Sequence, residues 1–457
     1  MDGVETKDLD GVGGGRWLPV PGVMDTRGRR AAAQTIAAIL RYSMRASFHI
    51  QVSGLEHFSC SPSTLVVANH RRDTDGPIIG TTLLGRIDQL EAGTPPCFVA
   101  REDLFRRGFL RDYLTSWPAP LRELLAGIDL RPFLDAVNLY PMRRIRERTL
   151  GEVLEDTLAI FGDLPLDQVL RQTWEARFRA MSAEGAGRLM VSDVLGRRYR
   201  ALLRQPCGLM KLTRQRFQVL RPYEERTIRS QLLRFVELLE RGAMVQLEPE
   251  GTTSADGSLG RLRGGLHILL NQARAPVRVL PIGITYDFMT SGRQWVFVRV
   301  GRELPHLQGL SRRETTARVT QAILACSPLT ASQLASRWLL EVRSRGGGCI
   351  TAAQLDEQVR AEAERLSLRG AHVDPRLLES RRRKQRLDQY LEYCCLSPTL
   401  LPSGRGRYLV RGDVDPRSQG RGQPVRWKHP DSALRYVHNE LMSLAPLWPE
   451  VAGRSEP

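Results

Sequence analysis

Long apolar runs are missing from this 457-residue chain. No stretch approaches the roughly 18 uninterrupted apolar residues of a bilayer-spanning helix, so any membrane contact is expected to be peripheral, on a protein of the cytoplasm. Paired cysteines are missing too. The seven cysteines (Cys60, Cys97, Cys207, Cys326, Cys349, Cys394, Cys395) are odd in number and form no C-x-x-C pair. That excludes a disulfide framework and a thiolate zinc site, and predicts a reducing compartment. Aromatic residues are only 6% of the chain, and no RNP-like aromatic motif or zinc-finger spacing occurs. Nucleic acid is therefore not the expected partner, despite the charge. The start is acidic and glycine-rich, unlike a secretory signal. Acidic residues are the last shortage: 50 Asp and Glu face 67 Lys and Arg, for a net charge of +17. The excess is mostly arginine, which suits phosphate-bearing ligands and anionic membrane surfaces.

Hydrophobic content of 42% supports a sizeable core, and the length allows two or three domains. Residues 1–30 read as a disordered tail around Gly11–Gly15. From Ala31 to Phe48, Ile36, Ile39, Leu40, Met44 and Phe48 recur at helical spacing with Arg41 and Arg45 opposite, a basic amphipathic helix. Short apolar runs at Ile50–Val52, Thr64–Ala68, Cys97–Ala100, Leu139–Met142, Met244–Leu247, Val277–Tyr286 (broken by Pro281) and Trp295–Val300 predict strands. Helices are expected between them, including Arg101–Trp117, Tyr223–Arg241 and Leu262–Ala273. This alternation predicts an α/β fold with a mixed, mostly parallel sheet flanked by helices. A helical insertion is expected over about 145–221 of a 31–305 domain. An appended helical region with a partly loose tail is expected over 306–457, and within it Arg381–Lys384 reads as a solvated helix face.

The stretch Asn69–Asp75 organises the rest. It follows the buried-strand pattern Thr64–Ala68 and precedes Gly76-Pro77 and a helical pattern. A histidine at such a junction stands where open α/β sheets place their chemistry. Asp75, five residues on, can reach back from the first helical turn to one imidazole nitrogen of His70, leaving the other to take a proton; Asp73 has worse spacing. His267 reads as a packing or surface residue of a helix, and His57 carries no assignment.

Four segments in this order resemble the glycerolipid acyltransferase family, which contains lysophosphatidate and glycerol-3-phosphate acyltransferases. Asn69-His70 through Asp75 is similar to its N-H-x4-D block. Leu139–Arg144 is a loose match to its apolar block ending in Arg. Leu247-Glu248-Pro249-Glu250-Gly251-Thr252 resembles its F-P-E-G-T block, and Val277–Ile282 its apolar-Pro-apolar block. The resemblance spans about Phe48 to Gly301. It implies transfer of a fatty acyl group from a thioester, on coenzyme A or acyl carrier protein, to a hydroxyl of a lyso-lipid or glycerol-phosphate acceptor. It implies His70 as general base oriented by Asp75, with no cofactor and no metal. It implies acceptor contacts from Glu250, Gly251, Thr252, Arg144 and Arg263. Thr253 departs from the family, which usually has Arg there, and Glu248 replaces an aromatic or apolar residue. The alternative is a catalytically silent acyltransferase fold serving as a lipid-binding or scaffold protein at the membrane surface.

Overall fold

The computed structural model describes residues 27–452 except 59–60, 86–95, 107–108, 111–117, 146–147, 183–186, 208, 255, 398 and 411–432. Most of the tail expected over 1–30 lies outside the described residues, as does the stretch 411–432 of the C-terminal region. The chain divides into two compact units. Among the described residues one comprises 100–135 and 140–235; the other comprises 27–99, 136–139 and 236–452.

Apolar runs too short for helices and buried on both faces become strands. They are β1 (His49–Ser53), β2 (Thr64–Ala68), β3 (Pro96–Arg101), β4 (Leu139–Met142), β5 (Met244–Leu247), β6 (Arg278–Asp287) and β7 (Trp295–Val300). Among the described residues they form a seven-stranded sheet in the order β1-β7-β6-β2-β5-β3-β4. Strand β2 is central, parallel to β5 on one side and β6 on the other. Strands β1 and β7 are parallel, whereas β6 and β7 are antiparallel, so the sheet is mixed and mostly parallel, as expected from the sequence.

Pro281 does not break its strand. Strand β6 runs continuously through it, with Pro281 opposite Val67 of β2. Its carbonyl accepts the Gly301 N–H at 2.9 Å, just past the end of β7. The nitrogen of Pro281 faces the same side, beyond the last β6–β7 residue pair, so the missing donor costs the ladder nothing. Gly54 turns the chain after β1 with φ +71°, and a Cβ there would lie 2.0 Å from the Val300 carbonyl oxygen. That position admits only glycine.

The helices of this unit are α1 (Arg27–Ser47), α2 (Asp75–Leu84), α3 (Gly265–Gln272), α4 (Arg312–Ala325), α5 (Ala331–Ser344), α6 (Ala352–Leu368), α7 (Ser380–Leu396) and α8 (Ala433–Met442). Capping boxes fix the starts of three: Ser311 with Glu314, Thr330 with Gln333 and Thr351 with Gln354. Gly348 opens a small antiparallel sheet of β8 (Gly348–Thr351), β9 (Leu400–Pro402) and β10 (Arg407–Val410), in a region where the sequence predicts helices. One hydrophobic core holds the large sheet and the C-terminal helices together: Val66, Ile284 and Val298 cluster with Ala335, Leu355, Leu391 and Val437.

The charge run on α7 is only partly a solvated face. Arg383 is buried, donating to Asp356 at 2.8 and 3.2 Å and to the Leu377 carbonyl at 3.0 Å. Arg386 is buried and pairs with Asp287. Helical periodicity turns one side of any basic run inward when acceptors wait there.

The other unit has its own core, built from Leu150, Leu154, Leu166, Phe178, Val194 and Leu212 among others. Its first helix, Leu150–Phe161, carries the apolar face read from the sequence and starts with a Thr149–Glu152 capping box. Of the helix expected over Arg101–Trp117, Glu102–Phe105 form a 3-10 turn and residues 109–110 are helical, while 107–108 and 111–117 lie outside the described residues. The acidic pair Glu102-Asp103 instead meets arginines: Glu102 takes Arg143 at 2.8 and 3.1 Å. The long helix Arg214–Glu240 begins nine residues before the expected Tyr223, running through Pro222.

Candidate functional site

Strand β2 ends at Ala68 and α2 opens at Asp75, so six residues make the turn. Asn69 pins its start. Its side-chain amide donates to the Ile284 carbonyl and its Oδ1 accepts the Ile284 N–H, both at 2.8 Å, extending the ladder to β6 by a side-chain rung.

His70 comes next and is 6% exposed. Its Nδ1 lies 3.1 Å from Oδ2 of Asp75, which is wholly buried. That same oxygen accepts the backbone N–H groups of Arg71 (2.5 Å) and Arg72 (2.8 Å). Oδ1 accepts the Tyr286 hydroxyl at 2.6 Å, and that hydroxyl lies 2.8 Å from Thr74 Oγ1. Burial, and next the Asp75 charge, push the Tyr286 hydroxyl well above its ordinary range, which keeps it a donor. A buried carboxylate with this many donors is held in one orientation without water. With Nδ1–H donating to it, Nε2 is the basic nitrogen of the ring. Asp73, the second-choice partner, is exposed.

The loop after β5 closes on the same histidine. Gly251 N–H donates to the Glu248 carbonyl at 3.0 Å, and Gly251 has φ +72°, so the turn requires glycine. Glu250 is 2% exposed, and both its oxygens accept backbone donors: His70 N–H at 2.7 Å and Gly260 N–H at 2.5 Å. Burial raises its carboxyl, opposed chiefly by Arg71 and those two bonds. From the other side, Ser254 N–H donates to the His70 carbonyl at 3.0 Å. The His70 backbone is therefore gripped at both its donor and its acceptor.

Arg263 closes the turn. Its backbone N–H donates to the Pro249 carbonyl (2.8 Å) and its Nε to the Glu250 carbonyl (3.0 Å), with its Cγ over Gly251. Thr252 and Thr253 are half-buried in this loop, and Glu248 accepts the Gln246 amide at 2.7 Å. The structure thus brings together His70, Asp75, Glu250, Gly251 and Arg263, with Thr252 next in the chain. Arg144 is half-buried in the loop after β4, within the other unit. His267 lies on α3 and pairs with Asn271.

Sequence reasoning missed the shell behind this loop. Arg71 is buried, 3.4 Å from Glu440 of α8 and 2.5 Å from the Gly257 carbonyl that accepts from it. Burial alone would lower its pKa, but Glu440 first, then Tyr436, Glu250 and Asp75, raise it on balance. Arg72 stacks its guanidinium over Phe288 (4.1 Å) and Tyr286 (4.9 Å) and donates to Gln294 at 2.8 Å. The only signals for Glu440 and Tyr436 were their places on an amphipathic helix far along the chain.

No protein-family profile matches this chain, and no curated protein matches it. Among solved structures, it is similar to the 1-acyl-sn-glycerophosphate (LPA) acyltransferase, PlsC, from Thermotoga maritima, with a TM-score of 0.32 and 14% identity over 66% of this chain and 82% of that one.

Proposed function

We propose that this chain is an O-acyltransferase that moves a fatty acyl group from a thioester, on coenzyme A or acyl carrier protein, to a hydroxyl of a lyso-lipid or glycerol-phosphate acceptor. One observation carries the reading: the His70 Nδ1–Asp75 Oδ2 contact of 3.1 Å at the carboxyl end of a central parallel strand, laced to the Pro-Glu-Gly turn. That is the end of a parallel sheet where ligands bind.

In this reading His70 Nε2 takes the proton of the acceptor hydroxyl as its oxygen attacks the thioester carbonyl carbon. The tetrahedral species collapses, the C–S bond breaks, and the imidazolium returns its proton to the departing thiolate. Asp75 stabilises the imidazolium throughout. Glu250 holds the loop that carries the base, while Gly251 and Thr252 line the acceptor side. Arg263 spends its Nε on the turn, leaving its terminal nitrogens for an anionic headgroup. The net charge of +17, with Ile39 and Tyr42 of α1 exposed at 62% and 80% near Arg45, supports work at an anionic membrane surface. Among the described residues no helix is long and apolar enough to cross a membrane.

The test is mass spectrometry of lipids after incubation with acyl-thioesters and a panel of lyso-acceptors. Wild type should give acylated product, and His70→Ala should lower the rate by about 10²–10⁴-fold at unchanged circular dichroism. Undiminished transfer by that variant would remove the mechanism. Absence of product from wild type with every donor and acceptor would remove the activity.

A further inference from the structure

Two loops make the site, and a third element holds both. Helix α8 reaches the β2–α2 loop through Glu440, whose Oε1 lies 3.4 Å from Arg71 Nε while Gln333 of α5 donates to its Oε2 at 3.2 Å. Glu440 is 2% exposed and Arg71 6%. The same helix reaches the loop after β5. Asn439 donates to the Asp256 carbonyl at 3.0 Å, and Ser443 Oγ accepts the Leu259 N–H at 3.0 Å. Gly257 packs so tightly beneath α8 that a Cβ would fall 2.0 Å from the Tyr436 carbonyl oxygen.

We infer that Glu440 is a positioning residue for the candidate base, acting through Arg71, and that α8 sets the geometry between the two loops of the site. The inference rests on the acyltransferase reading for its kinetic consequence, but its structural content does not. The linkage is continuous. The Gly257 carbonyl hydrogen-bonds the Arg71 guanidinium and Glu440 stands beside it as a counter-ion without a hydrogen bond; the Arg71 side chain fixes its own backbone; and that backbone N–H donates to Asp75 Oδ2 at 2.5 Å, the oxygen that meets His70. Releasing Arg71 at its far end frees the amide that aims the carboxylate. The pair is buried, so water cannot replace Glu440, and Arg71 would keep only the Gly257 carbonyl and the charges of Glu250 and Asp75 to offset its own. Gln at 440 keeps the shape and the bond to Gln333 within reach but withdraws the charge.

The experiment compares wild type, Glu440→Gln and Glu440→Asp, with Asn439→Ala as a milder variant that removes only the partly exposed bond to Asp256. Two readouts are taken. The first is the ¹⁵N spectrum of the His70 ring, assigned by its loss in His70→Gln. Wild type should hold one neutral tautomer, protonated on Nδ1; Glu440→Gln should show a mixture, and Glu440→Asp should restore most of the single form. The second is steady-state acyl transfer, where Glu440→Gln should lower kcat about tenfold to a hundredfold with KM within about twofold, as a misplaced catalytic group does. Should Glu440→Gln fail to fold, Asn439→Ala should still lower kcat several-fold. A folded Glu440→Gln whose His70 keeps one tautomer and whose kcat is unchanged overturns the inference. If wild type transfers no acyl group while the tautomer responds as described, the acyltransferase reading fails and the positioning role stands.

Discussion

Tyr286→Phe isolates one donor to the candidate catalytic carboxylate. Asp75 Oδ2 has three partners (the His70 ring and two backbone amides), whereas Oδ1 has the Tyr286 hydroxyl at 2.6 Å. Both side chains are completely buried, so no solvent takes over when the hydroxyl is removed. A hydrogen bond to a charged group contributes about 1.5–3 kcal/mol, and an orphaned buried acceptor costs in the same range. A loss near 2 kcal/mol would lower the melting temperature by about 3 °C for a unit of about 300 residues. The ring of Phe keeps the stack on Phe288, whose centroid is 5.5 Å away, so packing changes little. With one oxygen unheld, Asp75 can rotate away from His70, and kcat for acyl transfer should fall about tenfold at nearly constant KM. Thr74→Val is the control. It removes the hydroxyl's other neighbour but leaves the bond to Asp75, and should cost less on both counts. Differential scanning calorimetry with single-turnover kinetics decides the matter: a Tyr286→Phe protein with wild-type melting temperature and kcat would show that Asp75 is held without its help.

Three further outcomes are expected. Glu250→Gln sets an NH₂ group against the His70 or the Gly260 N–H, so it should destabilise by about 1–3 kcal/mol in urea unfolding and slow transfer by loosening the histidine loop; unchanged stability would refute the bracing role. Gly257→Ala, at φ +93° and under the Tyr436 carbonyl, should destabilise by at least about 1 kcal/mol, measured the same way. Burial lifts the Glu440 carboxyl from 4.5 to about 7, against Arg71, Gln333 and Arg72 and assisted by Asp75, with Tyr436 one turn earlier on α8. The folded state therefore holds the extra proton between those values. The stability that Glu440 contributes is complete below about 4.5 and is lost as pH climbs through about 7, and Glu440→Gln should flatten that slope in unfolding titrations. Ionised Glu440 is the form that pairs with Arg71, so kcat should rise over the same interval in which the fold weakens.

The sequence carried the sheet well, and for a physical reason. Thr64–Ala68 and Met244–Leu247 are short and apolar throughout, a pattern that only strands covered on both faces sustain, and both lie mid-sheet. The turn into α2 was legible because Asp75 sits where a helix begins, within reach of a histidine five residues back. What local pattern could not give was direction. Glu250 was evident as a residue, but nothing in Pro-Glu-Gly says that its oxygens face the backbone of His70 and Gly260. Arg383 belongs to a run that reads as solvated, and only the placement of Asp356 turns it inward. The Arg71–Glu440 pair spans most of the chain, and no periodicity links residues that far apart. At the start of the helix expected over Arg101–Trp117, Glu102 and its neighbours suit a helix intrinsically, while their 3-10 turn answers to Arg143.

The lateness of Glu440 bears on how this protein is made. A ribosome releases the histidine loop early and the Pro-Glu-Gly turn midway, yet the carboxylate that anchors Arg71 emerges some 370 residues after its partner. Until then the nascent chain displays every local motif with its Arg71 guanidinium held by the Gly257 carbonyl but without its carboxylate partner. Premature termination or proteolytic trimming upstream of α8 would leave a fragment that keeps the motifs but lacks the carboxylate beside Arg71.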